Sequence, residues 1–241
     1  MGNLFDVQFF LSTFPELAKV IPVTLKITCV AMLASLLVGL TVALVRIYKV
    51  PGFRQIVVAY VSFARGTPML VQIYLFYYGI PLFVEYMKDH HGWTLDVSRI
   101  PAIVFVYFAF TFNVSAYLSE TIRAAILAID KGQLEAALSV GISSLKGMQR
   151  IVLPQALAVA LPSFGNTVIS LVKDTSLAFM ISVVEMMGEA KILGARGLRF
   201  FEVYVAVAIL YWVICIIIER LVAIGEKRVR RFEGASEVRP S

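Results

Sequence analysis

The sequence predicts an all-α polytopic membrane protein with about five transmembrane helices. Three observations predict it. Of 241 residues, 59% are hydrophobic and only 16% charged, against roughly 25% charged in a soluble domain. The mean hydropathy is +0.83. The apolar residues gather into five runs long enough to cross a hydrocarbon core of about 30 Å, and Lys and Arg cluster at their ends. The net charge of +6 is explained by basic loops kept on the cytoplasmic side and does not call for nucleic acid. Cys29 and Cys215 both lie inside apolar runs, where cysteine is a small hydrophobe. No cysteine or histidine spacing suggests a metal site.

The segment from Met1 to Ala18 has no Lys or Arg and no small-residue cleavage site, so it does not read as a removed signal peptide. Phe5, Phe9, Phe10 and Phe14 share a face and predict an interfacial helix. The first span covers about 20–45, with Lys26 its only charge. Arg46, Lys49 and Arg54 follow around a Pro51-Gly52 turn, which places this end inside and the N-terminus outside. The second span covers about 56–84 and contains Arg65-Gly66-Thr67-Pro68. A charge and a helix breaker at membrane depth must face protein or water, so this segment faces partner helices. The polar stretch Glu85–Arg99 is an external loop, with His90 and His91 solvated.

The third span covers about 101–129, opens on Pro101 and turns polar at Asn113, Ser115, Ser119, Glu120 and Arg123. A loop over about 130–150 carries Lys131, Lys146 and Arg150, consistent with the inside. The fourth span covers about 151–172, followed by Lys173-Asp174-Thr175-Ser176 and a less hydrophobic stretch to Arg199. The fifth covers about 200–218, and the tail bears Arg220, Lys227, Arg228, Arg230 and Arg231, which places the C-terminus in the cytoplasm. Lys191, Arg196 and Arg199 run against this pattern on the outer side. No internal repeat or linker divides residues 1–241, which predicts a single domain.

The loop holds the densest information. Lys131-Gly132-Gln133-Leu134-Glu135-Ala136-Ala137-Leu138-Ser139-Val140-Gly141 is closed by Leu153-Pro154-Gln155-Ala156. A hydrophilic loop needs no adjacent alanines, so this one reads as a short helix shaped for another protein to grip. Ala136 and Ala137 permit close approach, Glu135 offers a charge near a helix N-terminus, and Gly141 permits the returning turn.

This stretch resembles the coupling loop of binding-protein-dependent ABC importer permeases. Three further stretches resemble the polar amino-acid branch of that family, the histidine/glutamine/arginine/cystine type. They are Arg65-Gly66-Thr67-Pro68-Met69-Leu70-Val71-Gln72, Ala116-Tyr117-Leu118-Ser119-Glu120-Thr121-Ile122-Arg123, and Asn166 with Leu171-Val172-Lys173-Asp174-Thr175-Ser176-Leu177. Met69 stands where the branch usually has Leu. The resemblance implies a type I ABC importer permease fold in the cytoplasmic membrane of a bacterium. It implies a second permease subunit, identical or not, an ATP-binding subunit dimer and an external amino-acid-binding protein. Glu135, Ala136, Ala137 and Gly141 would couple to the ATPase. The chain has no G-x-x-x-x-G-K-[ST] motif, so it is expected not to be an enzyme and to hold no cofactor; ATP and Mg would sit on the partner ATPase. Lys173 to Arg196 and Tyr211-Trp212-Val213-Ile214-Cys215 look most like cystine-type members, which suggests L-cystine.

Glu120 and Arg123 share a helix face three residues apart, and Lys173 with Asp174 forms a second mixed pair. Charges this deep are costly unless they meet each other or a cavity. They read either as internal ion pairs or as the lining of a path for a zwitterion. Asn113, Ser115 and Thr175 read first as helix glue; Ser119 and Thr175 stand beside the charges as further path candidates. Two other function classes compete: an ion-coupled secondary transporter using Glu120 or Asp174, and a membrane scaffold or sensor. Five spans without inverted repeats are few for the first.

Overall fold

The computed structural model describes residues 5–237, with side chains over 5–97 and 99–228. Helices α1 (Val7–Ile47), α2 (Phe53–Gly66), α3 (Met69–His91), α4 (Ala102–Leu127), α5 (Lys131–Ser139), α6 (Ser144–Gly147), α7 (Leu153–Asp174), α8 (Met186–Gly197) and α9 (Phe200–Glu237) follow in chain order. A π-helical stretch, Met148–Val152, joins α6 to α7, and a 3₁₀ stretch, Thr175–Ile181, follows α7. Five helical stretches are long and apolar enough to cross a membrane: Val7–Ile47, Met69–His91, Ala102–Leu127, Ser144–Ile181 and Phe200–Arg228.

Helix α4 is the axis of the bundle. Phe105, Val106, Ala109, Phe110, Val114 and Leu118 on it are all buried. It runs parallel to α1: Ser35 Oγ donates to Thr111 O at 3.4 Å, and Arg46 Nη1 to Glu120 Oε1 at 2.6 Å, offsets of 76 and 74 residues. Gly39 sets their closest approach, since a Cβ there would stand 3.0 Å from Ser115 O and 3.1 Å from Leu118 Cβ. Gly39→Leu should therefore force the two helices apart at a cost of about 1–3 kcal/mol. The expected result is a lowered melting temperature of the purified protein, with Gly79→Ala, where the space is open, unaffected.

Three expectations are corrected. The separate interfacial helix does not exist: α1 starts at Val7, capped by Asp6, whose carboxylate accepts from Phe9 N at 3.0 Å. Phe9, Phe10 and Phe14 pack against the cluster of Met186, Ala190, Val203 and Val207 instead of lying on a surface. The external loop is shorter than expected, because α3 continues to His91, where Gly92 ends it at φ +69°. His90 and His91 are exposed, and His90 stacks on Tyr86 at 4.3 Å.

The third correction is the expected span 56–84, which is two helices. Pro68 has no N–H, and its ring holds Thr67 extended at φ −118°, ψ 144°. The freed carbonyls must find donors at membrane depth. Gln72 Nε2 donates to Ala64 O at 2.8 Å, to Thr67 O at 3.1 Å and to Thr67 Oγ1 at 2.7 Å. Asn113 Nδ2 donates to Ala64 O at 3.2 Å from the middle of α4. Gln72 is thus the brace of a broken helix, buried to 1% exposure.

The less hydrophobic stretch after α7 folds into the body. Glu185 is fully buried; it caps α8 by accepting from Gly188 N at 2.8 Å and accepts Tyr211 Oη–H from α9 at 2.7 Å. Met186 N donates to Thr24 Oγ1 of α1 at 3.3 Å. Outside this clasp, Glu202 binds the Asp6 amide and the Arg199 guanidinium at 3.1 and 2.9 Å, tying the start of α1 to α9.

Candidate functional site

The loop between α4 and α7 folds as the helix its alanines predict. Asp130 caps α5, accepting from Gly132 N at 2.8 Å. Leu134 points inward beside Met148 and the buried Val152 and Ala156. Ala137 is buried against α6, where Gly147 leaves room: a Cβ on Gly147 would stand 2.6 Å from Leu134 Cδ1. Of the four coupling candidates, Glu135 and Ala136 are exposed, Ala137 is an inward packing residue, and Gly141 forms the turn. Gly141 sits at φ +82° with nothing within 4 Å of a built Cβ. Its requirement is conformational, not spatial, because a β-branched residue resists positive φ. On the coupling role that the resemblance implies, Gly141→Val should disorder the α5–α6 corner and strongly reduce transport without affecting membrane insertion, while Gly141→Asn, which tolerates that region, should retain most of it; uptake assays on both variants test this.

The outer face of this corner is apolar. Leu138, Val140, Ile142 and Leu145 are 45%, 75%, 36% and 68% exposed, in a loop flanked by Lys131, Lys146 and Arg150. Sequence reasoning named Glu135 and the alanines and passed over these side chains. The available signal was four large aliphatics in a loop too short to bury them by any periodicity.

From this corner a single helical rod enters the bundle. Helix α6 continues through the π stretch into α7, with Leu153 N bonded to Met148 O. Pro154 lacks an N–H and crowds the turn before it, which accounts for the widened backbone there. From Ser144 to Asp174 the rod is on the order of 45 Å long. Its exposed face carries Ser163, Asn166, Ser170 and Lys173 at three- and four-residue spacing.

The upper part of that face forms one wall of a cavity of about 470 Å³ with a mixed lining, in which Pro68, Met69, Val114 and Leu171 are the apolar part. Asn166, Ser170 and Asp174 line it from α7, Asn113 and Tyr117 from α4, and Thr67 from the break between α2 and α3. Asp174 is the only acid in its lining. The Arg65 guanidinium lies 5.3 Å over the ring of Tyr117 and 3.6 Å from Glu120.

The structure separates the remaining path candidates. Lys173 is one residue from Asp174, hence about 100° away around the helix, and it lines a neighbouring groove with Tyr211, Trp212 and Glu219. Glu120 lies outside the cavity, at the centre of an ion cluster. It accepts from Arg46 at 2.6 Å and from Arg123 at 2.9 and 3.0 Å, with Arg65 3.6 Å away. Ser119 and Thr175 are fully buried and spend their hydroxyls on Ala116 O and Val172 O, both at 2.7 Å. Ser115 is glue: Tyr60 Oη lies 2.5 Å from its Oγ. Asn113, expected as glue, does both, bracing Ala64 and lining the cavity.

Comparisons with known proteins place the chain in a family. A family model described as binding-protein-dependent transport system inner membrane component matches residues 14–231. The probable amino-acid permease protein YxeN of Bacillus subtilis is 40% identical over 230 residues, covering 95% of this chain and 98% of the relative. The L-cystine transport system permease protein TcyL of the same organism is 38% identical over 231 residues, covering 96% and 94%. The crystal structure of an amino acid ABC transporter with histidines superposes with a TM-score of 0.80 at 31% identity, covering 93% of this chain and 99% of that one.

Proposed function

This chain belongs to the binding-protein-dependent transport system inner membrane components as a permease of the amino-acid ABC importer class, and on that premise we propose that a separate cytosolic ATPase drives it to import L-cystine or a related polar amino acid across the bacterial cytoplasmic membrane. The observation that carries the proposal is the single rod from Ser144 to Asp174, which has an exposed apolar corner at one end and a cavity beside the other. An apolar patch in a basic loop is the expected shape of a docking site for a soluble partner. A polar stripe on a membrane helix must face water or another protein. The stripe on α7 is therefore read as facing a second permease copy across a central path. The N-terminus and an external binding protein lie outside, and the ATPase pair lies inside.

In the cycle, ATP closes the ATPase dimer and moves the docked corners. Each rod carries its half of the path from inward-open to outward-open, and the binding protein delivers the amino acid. Within the path, Asp174, which lines the cavity, suits the α-ammonium of the substrate. Glu120 is poorly suited to be a Na⁺ site, because both its carboxylate oxygens are already engaged by Arg46 and Arg123. The cystine assignment is supported by the likeness to TcyL and by the cystine-type stretches after Lys173. Uptake into proteoliposomes tests the proposal. Cystine should enter only when the ATPase, ATP and the binding protein are all present; entry without them would overturn it.

A further inference from the structure

The short helix α5 is poorly anchored by apolar contact. It has nine residues, of which only Ala137 is buried, and an isolated helix of that length is not stable by itself. A second attachment is polar. Gln155 Nε2 donates to Gln133 Oε1 at 2.6 Å, and Gln133 Nε2 to Gln155 Oε1 at 3.4 Å. Gln155 Nε2 also donates to Ile151 O at 2.9 Å, which fixes the side chain against the end of the π stretch that precedes α7. The two amides thus face each other as donor and acceptor in both directions.

The position of this pair matters more than its strength. Gln133 is in α5, and Gln155 is in the first turn of α7. Along the chain between them lie the turn at Gly141, helix α6 and the π stretch Met148–Val152. That stretch is the irregular part of the rod, and irregular turns are where helices bend. The amide pair spans it from α5 to the first turn of α7, and the Gln155–Ile151 bond ties the same side chain to its far end. The Leu134–Gly147 packing resists compression but slides under shear, because apolar contact has no direction. A hydrogen-bonded pair fixes the register of the two helices.

We infer that Gln133 and Gln155 form a coupling latch, positioning residues that carry movement of the docked α5–α6 corner past the π stretch into α7. The inference rests on the ATPase-docking reading above. Without the latch, the π stretch absorbs the stroke, and ATP is hydrolysed without moving the cavity wall.

The test is the amount of substrate moved per ATP hydrolysed, in proteoliposomes holding the permease, its ATPase and its binding protein. Gln133→Ala and Gln155→Ala should each lower that ratio roughly three- to tenfold, the effect of one lost hydrogen bond, with ATPase co-purification and ATP turnover unchanged. Gln133→Glu combined with Gln155→Lys, which replaces the amide pair by an ion pair, should restore most of the ratio. An unchanged ratio in both alanine variants would overturn the inference. So would loss of co-purification together with transport, which marks a docking or folding role, or failure of the ion pair to rescue. A wild-type complex whose uptake ignores ATP would overturn the docking reading as well as the latch.

Discussion

Asp174→Asn is expected to abolish efficient uptake while leaving insertion and ATPase assembly intact. The side chain keeps its size and its capacity to hydrogen-bond, so packing is preserved and only the charge is lost. Asp174 is the sole acid lining the cavity between the α2–α3 break, α4 and α7. An ionisable group at that depth is costly and is retained where it meets a charge. If that charge is the α-ammonium of the substrate, its removal costs about 1.5–3 kcal/mol, the worth of a hydrogen bond to a charged group, or roughly ten- to a hundredfold in affinity. The half-saturating substrate concentration should rise accordingly. Lys173→Met is the matched control, because Lys173 lines the neighbouring groove and not the cavity; its effect should be far smaller. Equal effects of the two substitutions would show that the two residues act as a pair and that the cavity is misassigned.

The second large effect is expected at the apolar corner. Val140 and Leu145 are 75% and 68% exposed. Burying each in an ATPase groove should contribute about 1.5–3 kcal/mol, and aspartate at either position would bring an unpaired charge into that groove as well. Val140→Asp with Leu145→Asp should therefore release the ATPase by at least about a hundredfold in affinity, read as loss of co-purification. Glu135→Lys should weaken the complex much less, because exposed ion pairs are worth only about 0–1 kcal/mol. An unaltered complex in the double aspartate variant would place the ATPase elsewhere.

Much of this architecture was legible in the sequence, and the failures have physical causes. Apolar runs and basic clusters located five spans because bilayer thickness dictates their length. The Arg65–Pro68 irregularity was visible as something needing protein around it. Pro68 was legible as a helix breaker; that Asn113, 49 residues away, also meets the freed Ala64 carbonyl was not, because no local pattern records it. Glu120 shows the same limit. Arg123 at i+3 was readable, but Arg46, 74 residues distant, and Arg65 arrive only through the parallel packing of α1 and the return of α2. The separation of Lys173 from Asp174 was within reach, since neighbours on a helix point about 100° apart. The alanines of the loop after α4 identified it as a helix, yet the apolar side chains around the turn escaped notice because periodicity is uninformative over so few residues.

The central claim is that a cytosolic ATPase rocks α7 and turns its polar stripe from one side of the membrane to the other. Ser170, exposed on that stripe and lining the cavity, is the place to observe it. The direct measurement labels Ser170→Cys with a membrane-impermeant thiol reagent, in a chain whose Cys29 and Cys215 are replaced by Ser. Labelling from the cytosolic side without nucleotide, and from the outer side when the ATPase is held closed on ATP, is the predicted result. Labelling from the same side in both states, or a switch of sides with no ATPase present, would contradict it.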